Sequence, residues 1–375
     1  MDYGSCLTAK EKINSDMLHS FFQFTTRGGC SLILVISLFA CGSNSKDKVD
    51  KQKTDKELSK INTLLHDTAF AALMAGGLEA NYYTSQGRAA PAFFEGPDSL
   101  VKKPLKDEKI ATKLSGFYAV ETGIGALVAE KGNTPVFWLD KIVNKSIDSS
   151  DALLLNRFAN ASWKAGQPFR ALTRITRDNF ISFNFLSKEE IQKDADQVRA
   201  AAENLLDSLK GSSNKPVTEQ WNIIGQLLRD KSYALDMAKH METAYYAGQN
   251  KPAPPFLSPE EEGSLVAKSV KEEKIAINIA GFYALECGLS YMVARDQQSP
   301  STILENIIAD SLPQPDKELL ERFANATWKA GQPFRNLDRI TRDIFTPFDL
   351  LSAQEKEKDW VQIKAAAKKL LAALQ

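Results

Sequence analysis

The feature that most constrains this chain is an internal duplication. Residues 157–170 read RFANASWKAGQPFR and residues 322–335 read RFANATWKAGQPFR, so the two segments differ at a single position. Upstream, GFYAVE at residues 116–121 matches GFYALE at residues 281–286 with the same offset of 165 residues. Self-similarity at a fixed offset indicates that one supersecondary unit is used twice. Any functional hypothesis must therefore explain a feature that occurs in two copies.

Apolar residues recur at helical spacing along most of the chain, and no segment shows the alternation that is typical of a strand. We therefore predict an all-α protein of two tandem, homologous helical-bundle units, each with its own core. In the first unit, helices are predicted over residues 63–80, 107–130, 134–143, 151–165, 168–180 and 187–209, with a Gly- and Pro-rich loop at 87–104. The predicted organisation is residues 1–40 as a signal peptide, 41–57 as a flexible tether, 58–211 as the first unit, 212–217 as a linker and 218–375 as the second unit.

The N-terminus carries the pattern of an exported protein. Arg27 precedes an apolar run at residues 31–40, which suits the apolar region of a signal peptide and is too short to span a bilayer. The run ends in the sequence LFACG at residues 38–42, which resembles the lipobox of bacterial lipoproteins. The resemblance implies that residues 1–40 are removed and that Cys41 carries the lipid, palmitate included.

The alternatives for this segment are an ordinary secretory signal and a short buried strand. The start codon also stays open between Met1 and Met17, because the stretch before Arg27 is long for a signal peptide. The lipoprotein resemblance further implies a location on the periplasmic side of a bacterial membrane. Gly42, in place of an Asp after the lipidated cysteine, favours the outer membrane over the inner one.

Charge and cysteine content exclude several classes of protein. The chain has 47 basic and 47 acidic side chains, so it offers no electrostatic footprint for nucleic acid. After cleavage, Cys41 and Cys287 are the remaining cysteines, and they do not make a disulfide framework. The expected partners are the bacterial membrane, through the lipid anchor, and an envelope protein or a small polar ligand.

Glutamates lie on the apolar faces of predicted helices. Glu121 shares a stripe with Phe117, Ile124 and Val128, and Glu286 is its counterpart in the second unit. A carboxylate on a core face needs a partner, because burial without one raises its pKa until it is neutral. The second pair of such glutamates, each before a pair of tyrosines, is Glu79 and Glu242.

Two repeated polar stripes offer partners for these glutamates. On one helix Arg157, Asn160 and Lys164 share a face, and the following helix carries a basic stripe. Arginine suits buried pairing with a carboxylate, so we predict a Glu–Arg–Tyr–Asn network in each unit. The network either fixes helix packing, binds a small polar or anionic ligand, or is catalytic. Its remaining arginines and asparagine are Arg170, Arg174, Arg177, Arg322, Asn325, Arg335, Arg339 and Arg342.

No repeated arrangement in the sequence favours metal or nucleophilic catalysis. His66 and His240 do not occupy equivalent positions, and the Glu-x-x-His pairs of a helical di-iron site are absent from the sequence. A Ser–His–Asp or Cys–His arrangement that occurs in both units is absent as well. We therefore predict no catalytic residue, no metal ligand and no cofactor.

One further family resemblance rests on a six-residue motif. Imelysin-like proteins carry Gly-x-His-x-x-Glu on a helix, and this chain has GFYAVE at 116–121 and GFYALE at 281–286. Glycine and glutamate match, while Tyr118 and Tyr283 stand in place of the histidine. The resemblance implies an exported protein of two helical-bundle halves with a metal or ligand site at Glu121 and Glu286.

Together these features favour a lipid-anchored helical repeat protein with a binding or scaffolding role in the bacterial envelope. An enzyme is the less favoured class. The alternative is an imelysin-like protein that handles a metal or a small ligand at the repeated Glu/Arg clusters.

Overall fold

The computed structural model describes the part of the chain that forms the helical bundle. Its compact unit runs from Val49 to Gln375. The described residues are 45–66, 69, 80, 84, 87–90, 100–166, 181–229, 243, 246–247, 250–255, 265–331 and 346–375. The protein is all-α, as the sequence predicts, and these described residues include one short strand pair.

The helices of the first repeat begin at residues that cap them. The side chain of Thr134 accepts a hydrogen bond from the Phe137 backbone, and Ser187 accepts one from Glu190, so the first unsatisfied N–H groups of both helices have partners. After α1 (Ser45–His66), the first repeat contains β1 (Leu100–Pro104), α2 (Leu105–Lys131), α3 (Pro135–Val143), α4 (Ser149–Gly166), a 3-10 helix (Phe183–Phe185) and α5 (Lys188–Ser208).

The second repeat reproduces the elements from β1 onward with their bounds shifted by 165 residues, except that its last helix is one residue longer. After α6 (Val217–Arg229) come β2 (Leu265–Ser269), α7 (Val270–Asp296), α8 (Pro300–Ile308), α9 (Gln314–Gly331), a second 3-10 helix (Phe348–Leu350) and α10 (Ala353–Leu374). Ser299 and Ser352 cap α8 and α10 in the same way. The duplication in sequence is therefore a duplication of local structure.

The two repeats share one core. Helix α2 packs against α4 of its own repeat and α9 of the second, α7 packs against α9 of its own repeat and α4 of the first, and α4 and α9 pack against each other. The rings of Phe158 and Phe323, at equivalent positions, stack between the repeats with centroids 3.9 Å apart and an interplanar angle of 2°. Buried apolar residues of both repeats belong to a single cluster. The prediction that each unit has its own core is therefore wrong.

Glycines allow the long helices to approach their neighbours closely. A Cβ at Gly123 would lie 2.7 Å from Leu155 Cδ2, and one at Gly288 would lie 2.6 Å from Leu320 Cδ2. Real Cβ atoms do not make such short contacts, so a larger residue requires the facing leucine side chain to move. Gly123 and Gly288 are therefore helix-packing residues at equivalent positions of the two repeats.

A two-stranded antiparallel ribbon connects the repeats, and the sequence did not predict it. β1 pairs with β2 in a register that joins Leu100 to Ser269 and Pro104 to Leu265. Residues 100–104 were predicted to belong to a loop. Each strand is only five residues long, and its partner lies in the other repeat. A local alternation of apolar and polar residues therefore does not reveal the strand pair.

The predicted flexible tether is helical over most of its length. α1 begins at Ser45 and covers the Lys- and Asp-rich stretch that was predicted to lack order. Lysine, glutamate and glutamine are good helix formers, and Lys53 lies 3.8 Å from Glu57 across one turn. Glu57 also accepts a hydrogen bond of 2.9 Å from the backbone of Ser301, at the start of α8. Within the described ranges, no helix has the length and apolar character needed to cross a membrane.

Candidate functional site

Glu121 lies inside the shared core and is fully buried. Its Oε2 accepts a hydrogen bond of 2.7 Å from the ammonium group of Lys329 and one of 3.0 Å from the hydroxyl of Thr122. Its Oε1 accepts a bond of 3.0 Å from the backbone N–H of Phe348, at the start of the second 3-10 helix. The predicted burial of Glu121 is confirmed, and both of its oxygens have partners.

Glu286 has the equivalent environment, with the roles of the repeats exchanged. Its Oε2 accepts from Lys164 at 2.8 Å and from the thiol of Cys287 at 3.2 Å. Its Oε1 accepts from the Ser182 hydroxyl at 2.6 Å and from the Phe183 backbone N–H at 3.1 Å. Burial raises the pKa of Glu286, but the Lys164 charge and the hydrogen bonds outweigh it and hold that pKa below its usual value.

Each ion pair joins one repeat to the other. Glu121 is on α2 of the first repeat and its lysine on α9 of the second, while Glu286 is on α7 of the second and its lysine on α4 of the first. Lys164 and Lys329 are each 1% exposed, so neither charge reaches solvent. Each pair binds helices of different repeats together rather than helices within one unit.

Among the described residues, these glutamates pair with lysines and not with Arg157 or Arg322, while the other arginines predicted as partners lie outside the described residues. Lysine takes the place because α4 and α9 run beside the partner repeat's long helix, which no local pattern reveals. Lys164 and Lys329 stand in the duplicated sequence WKAG, between a half-buried tryptophan and a buried alanine. A lysine kept in both copies of such an apolar stretch is the sequence signal for its burial.

The arginines of the polar stripe each contact the 3-10 helix of their own repeat, and Arg157 also reaches the other repeat. Arg322 donates to both oxygens of Asp349, at 2.9 and 2.8 Å. Arg157 instead donates to the amide oxygen of Asn184 at 3.3 Å and to the hydroxyl of Ser290 on α7. The position equivalent to Ser290 is Gly125, where a Cβ would collide with the Arg322–Asp349 pair.

These two arginines differ in electrostatics although their positions are equivalent. Burial lowers the pKa of Arg157, which has neutral partners for its hydrogen bonds. Burial acts in the same direction on Arg322, but the hydrogen bonds and charges of Asp349 and Glu318 outweigh it and raise that pKa. Each guanidinium also lies 4.3 Å from a ring centroid, that of Phe183 for Arg157 and that of Phe348 for Arg322. Arg157 is therefore the less well compensated cation.

The two asparagines of the predicted network are buried beside the ion pairs. Asn160 Oδ1 accepts a weak hydrogen bond of 3.6 Å from the thiol of Cys287. Within the described residues, the Asn160 side-chain N–H₂ group and the whole amide of Asn325 have no hydrogen-bond partner. Both positions are 0–1% exposed, so they are places where ordered water would complete the hydrogen bonds.

The tyrosines that replace the histidine of the imelysin motif are core residues. Tyr118 and Tyr283 are 1% and 3% exposed. Burial, together with the negative charge of Glu121, raises the pKa of Tyr118, and burial raises the pKa of Tyr283. Burial and the neighbouring Glu286 raise the pKa of the Cys287 thiol as well. All three groups are thus neutral at physiological pH, and none is activated as a nucleophile or a base.

The remaining predicted site residues lie outside the described residues. They are Cys41, Glu79, Arg170, Arg174, Arg177, Glu242, Arg335, Arg339 and Arg342. Among the side chains that the structure does describe, no group of three or more His, Cys, Asp or Glu residues is arranged to hold a metal ion.

No protein-family model, no curated protein sequence and no solved structure matches this chain. The geometry of the site is therefore the basis for a functional conclusion. Two fully buried carboxylates, whose oxygens all accept hydrogen bonds from the same chain, can hold helices in register.

Proposed function

We propose that this chain is a lipid-anchored helical protein on the periplasmic side of a bacterial membrane, the outer one, with a binding or scaffolding role. The buried Glu–Lys pairs then serve the fold rather than catalysis. The observation that carries this second part is the saturation of both carboxylates. Every oxygen of Glu121 and Glu286 accepts a hydrogen bond from this chain.

The anchor is proposed from the sequence LFACG at residues 38–42, where Cys41 is the acceptor of the lipid. Two or more acyl chains hold a protein lastingly at a bilayer, whereas one chain holds it marginally. A balanced net charge gives the mature chain no general attraction to an anionic membrane surface. Lipid on Cys41 is thus the proposed attachment.

Metabolic labelling with an alkyne palmitate analogue tests the anchor in a bacterial host with two membranes. We expect the full chain to be labelled and to fractionate with the outer membrane, and Cys41→Ala to lose the label and become soluble. The matched control is Cys287→Thr, which places at the buried cysteine the residue found at its counterpart, Thr122. Retention of the label in Cys41→Ala would contradict the proposed lipid site.

Elemental analysis of the purified protein separates this proposal from the imelysin-like alternative. A metal or ligand at Glu121 or Glu286 has to displace a lysine and a backbone N–H from the carboxylate. We expect no stoichiometric metal in protein that is purified without chelators. A stoichiometric metal that is lost in Glu121→Gln and Glu286→Gln would overturn the structural role.

A further inference from the structure

A cavity lies in the first repeat at a place where the second repeat carries a tryptophan side chain. It has a volume of about 320 Å³ and lies among α3, α4 and α5. Its apolar wall includes Ile142, Leu155 and Val198, and its polar rim includes Lys145, Asn156 and Arg199. This volume is at the lower end of the range, roughly 300–1,000 Å³, of sites that bind small organic molecules.

The second repeat fills the equivalent space with an indole ring. Trp360 on α10 stands where the first repeat has Ala195, which lines the cavity. The ring is 2% exposed, and its Nε1 donates a hydrogen bond of 2.8 Å to Asp310. The ammonium group of Lys317 lies 4.9 Å from the ring centroid.

The contacts of Trp360 locate the ring at the position of the cavity. Asp310 and Lys317 are the equivalents of Lys145 and Ala152, and both of these line the cavity in the first repeat. The second repeat therefore shows what kind of group fits this space, because it places the Trp360 indole there. The first repeat has similar apolar walls but carries Ala195 in place of the tryptophan.

The charge at the polar end of the cavity differs in sign between the two repeats. In the second repeat the carboxylate of Asp310 accepts from the indole N–H, whereas the first repeat has Lys145 at that position. Arg199 is a second cation at this rim; it lies 3.1 Å from Asp196 and 3.8 Å from Glu203 and is about one-third exposed, so Lys145 is the main source of the change in charge. A cationic rim favours an anionic group at the polar end of an occupant, in place of an N–H donor.

We propose that this cavity binds a small aromatic carboxylate. Its ring takes the place of the Trp360 indole against the apolar wall, and its carboxylate meets Lys145 and Arg199. The buried amide of Asn156, 7% exposed, offers a further polar contact. The site is separate from the Glu–Lys pairs and does not depend on the lipid anchor.

Titration calorimetry of the full chain in detergent tests the proposal with two probes of opposite charge. Indole-3-acetate carries the ring and a carboxylate, and tryptamine carries the same ring and a cation. We expect one saturable site for indole-3-acetate and at least about tenfold weaker binding of tryptamine, the ratio that one charge-assisted contact supplies. Absence of saturable indole-3-acetate binding, or equal affinity for both probes, would overturn the proposal.

Two variants copy the second repeat into the first. Ala195→Trp fills the cavity and is expected to abolish binding of indole-3-acetate while the variant still melts cooperatively. Lys145→Asp is expected to reverse the preference toward tryptamine, and it suits the backbone because Lys145 and Asp310 share a φ of 54°. Unchanged binding of indole-3-acetate in either folded variant would place its site elsewhere. Lys145→Asp decides the matter if Ala195→Trp does not fold.

Discussion

At the scale of single residues, the charges in the core are balanced one by one across the two repeats. Glu121 neutralises Lys329, and Glu286 neutralises Lys164, with nitrogen–oxygen distances of 2.7 and 2.8 Å. Removing two charges from water costs several kcal/mol per ion, so such a pair adds little net stability over an apolar pair. Loss of one partner is costly, because the other charge stays buried. The pairs therefore select this arrangement of helices over others.

The first prediction at this scale concerns Glu286. Glu286→Ala leaves the ammonium group of Lys164, which is 1% exposed, without its carboxylate. We expect a loss of about 3–5 kcal/mol in the free energy of unfolding, measured by urea denaturation. The double variant Glu286→Gln/Lys164→Met removes both charges and is expected to recover a large part of the loss.

The same residue determines a dependence on pH. Because the folded pKa of Glu286 is held below its usual value, its contribution to stability is present above the unfolded pKa and is lost as the pH falls through the folded value. The wild-type protein should lose this contribution in acid, and Glu286→Gln should not.

A Glu286→Ala protein as stable as the wild type would contradict the structural role of the pair. Glu121→Ala provides the second, independent copy of that stability test.

At the scale of elements, the 3-10 helices are the parts that lock the repeats together. Each begins with a phenylalanine whose backbone N–H binds the buried glutamate of the other repeat, Phe183 to Glu286 and Phe348 to Glu121. Each is also tied to its own repeat by an arginine. The arginine tie is ionic in the second repeat, through Asp349, and neutral in the first, through Asn184.

This asymmetry makes a prediction about the first 3-10 helix. Asn184→Asp gives Arg157 the carboxylate that Arg322 already has in Asp349. We expect a gain of about 0.5–1 kcal/mol in the free energy of unfolding at neutral pH, limited by the exposure of Asn184 to solvent. The gain should disappear at low pH, where the new carboxylate is protonated.

The matched control is Asp349→Asn in the second repeat. It converts the ionic tie of Arg322 into the neutral kind that Arg157 has, so it should lower stability at neutral pH. Thermal melting of both variants at neutral and acidic pH checks the pair. If both substitutions raise the stability at neutral pH, or both lower it, this account of the asymmetry is contradicted.

At the scale of the whole compact unit, the two repeats complete each other. The long helices α2 and α7 each pack against both α4 of the first repeat and α9 of the second. The β ribbon and both ion pairs also join one repeat to the other. A single repeat lacks the lysine and the 3-10 helix that its own buried glutamate requires.

Separation of the repeats tests this organisation. We expect residues 49–213 and 214–375, expressed alone, to lack the cooperative melting transition of the intact chain as monomers, and to recover it when they are mixed. Circular dichroism and size-exclusion chromatography check this. An insertion of a protease site at Gly211, an exposed residue with a φ of 83°, is the control, because the cleaved protein should stay associated. Two halves that each melt cooperatively as monomers would show independent cores.

Much of the local structure follows from the sequence because it depends on neighbours along the chain. Apolar spacing predicted α2, α3, α4 and α5 to within a few residues, and Ser187 marked the start of α5 as its cap. The position of Glu121 between Phe117 and Ile124 predicted its burial, since residues three and four apart share a helix face. Because these interactions are local, the repeated sequence also forms the same helices and strands in both repeats.

The tertiary structure decided which surfaces meet. Two homologous repeats can pack each against itself or each against the other, and the same apolar faces serve both arrangements. The sequence therefore predicted a partner for Glu121 without distinguishing an arginine of its own repeat from Lys329 in the other. For the same reason, the sequence did not predict the pairing of β1 with β2. Contacts between distant segments depend on the packing of the whole molecule, and local periodicity carries no information about that choice.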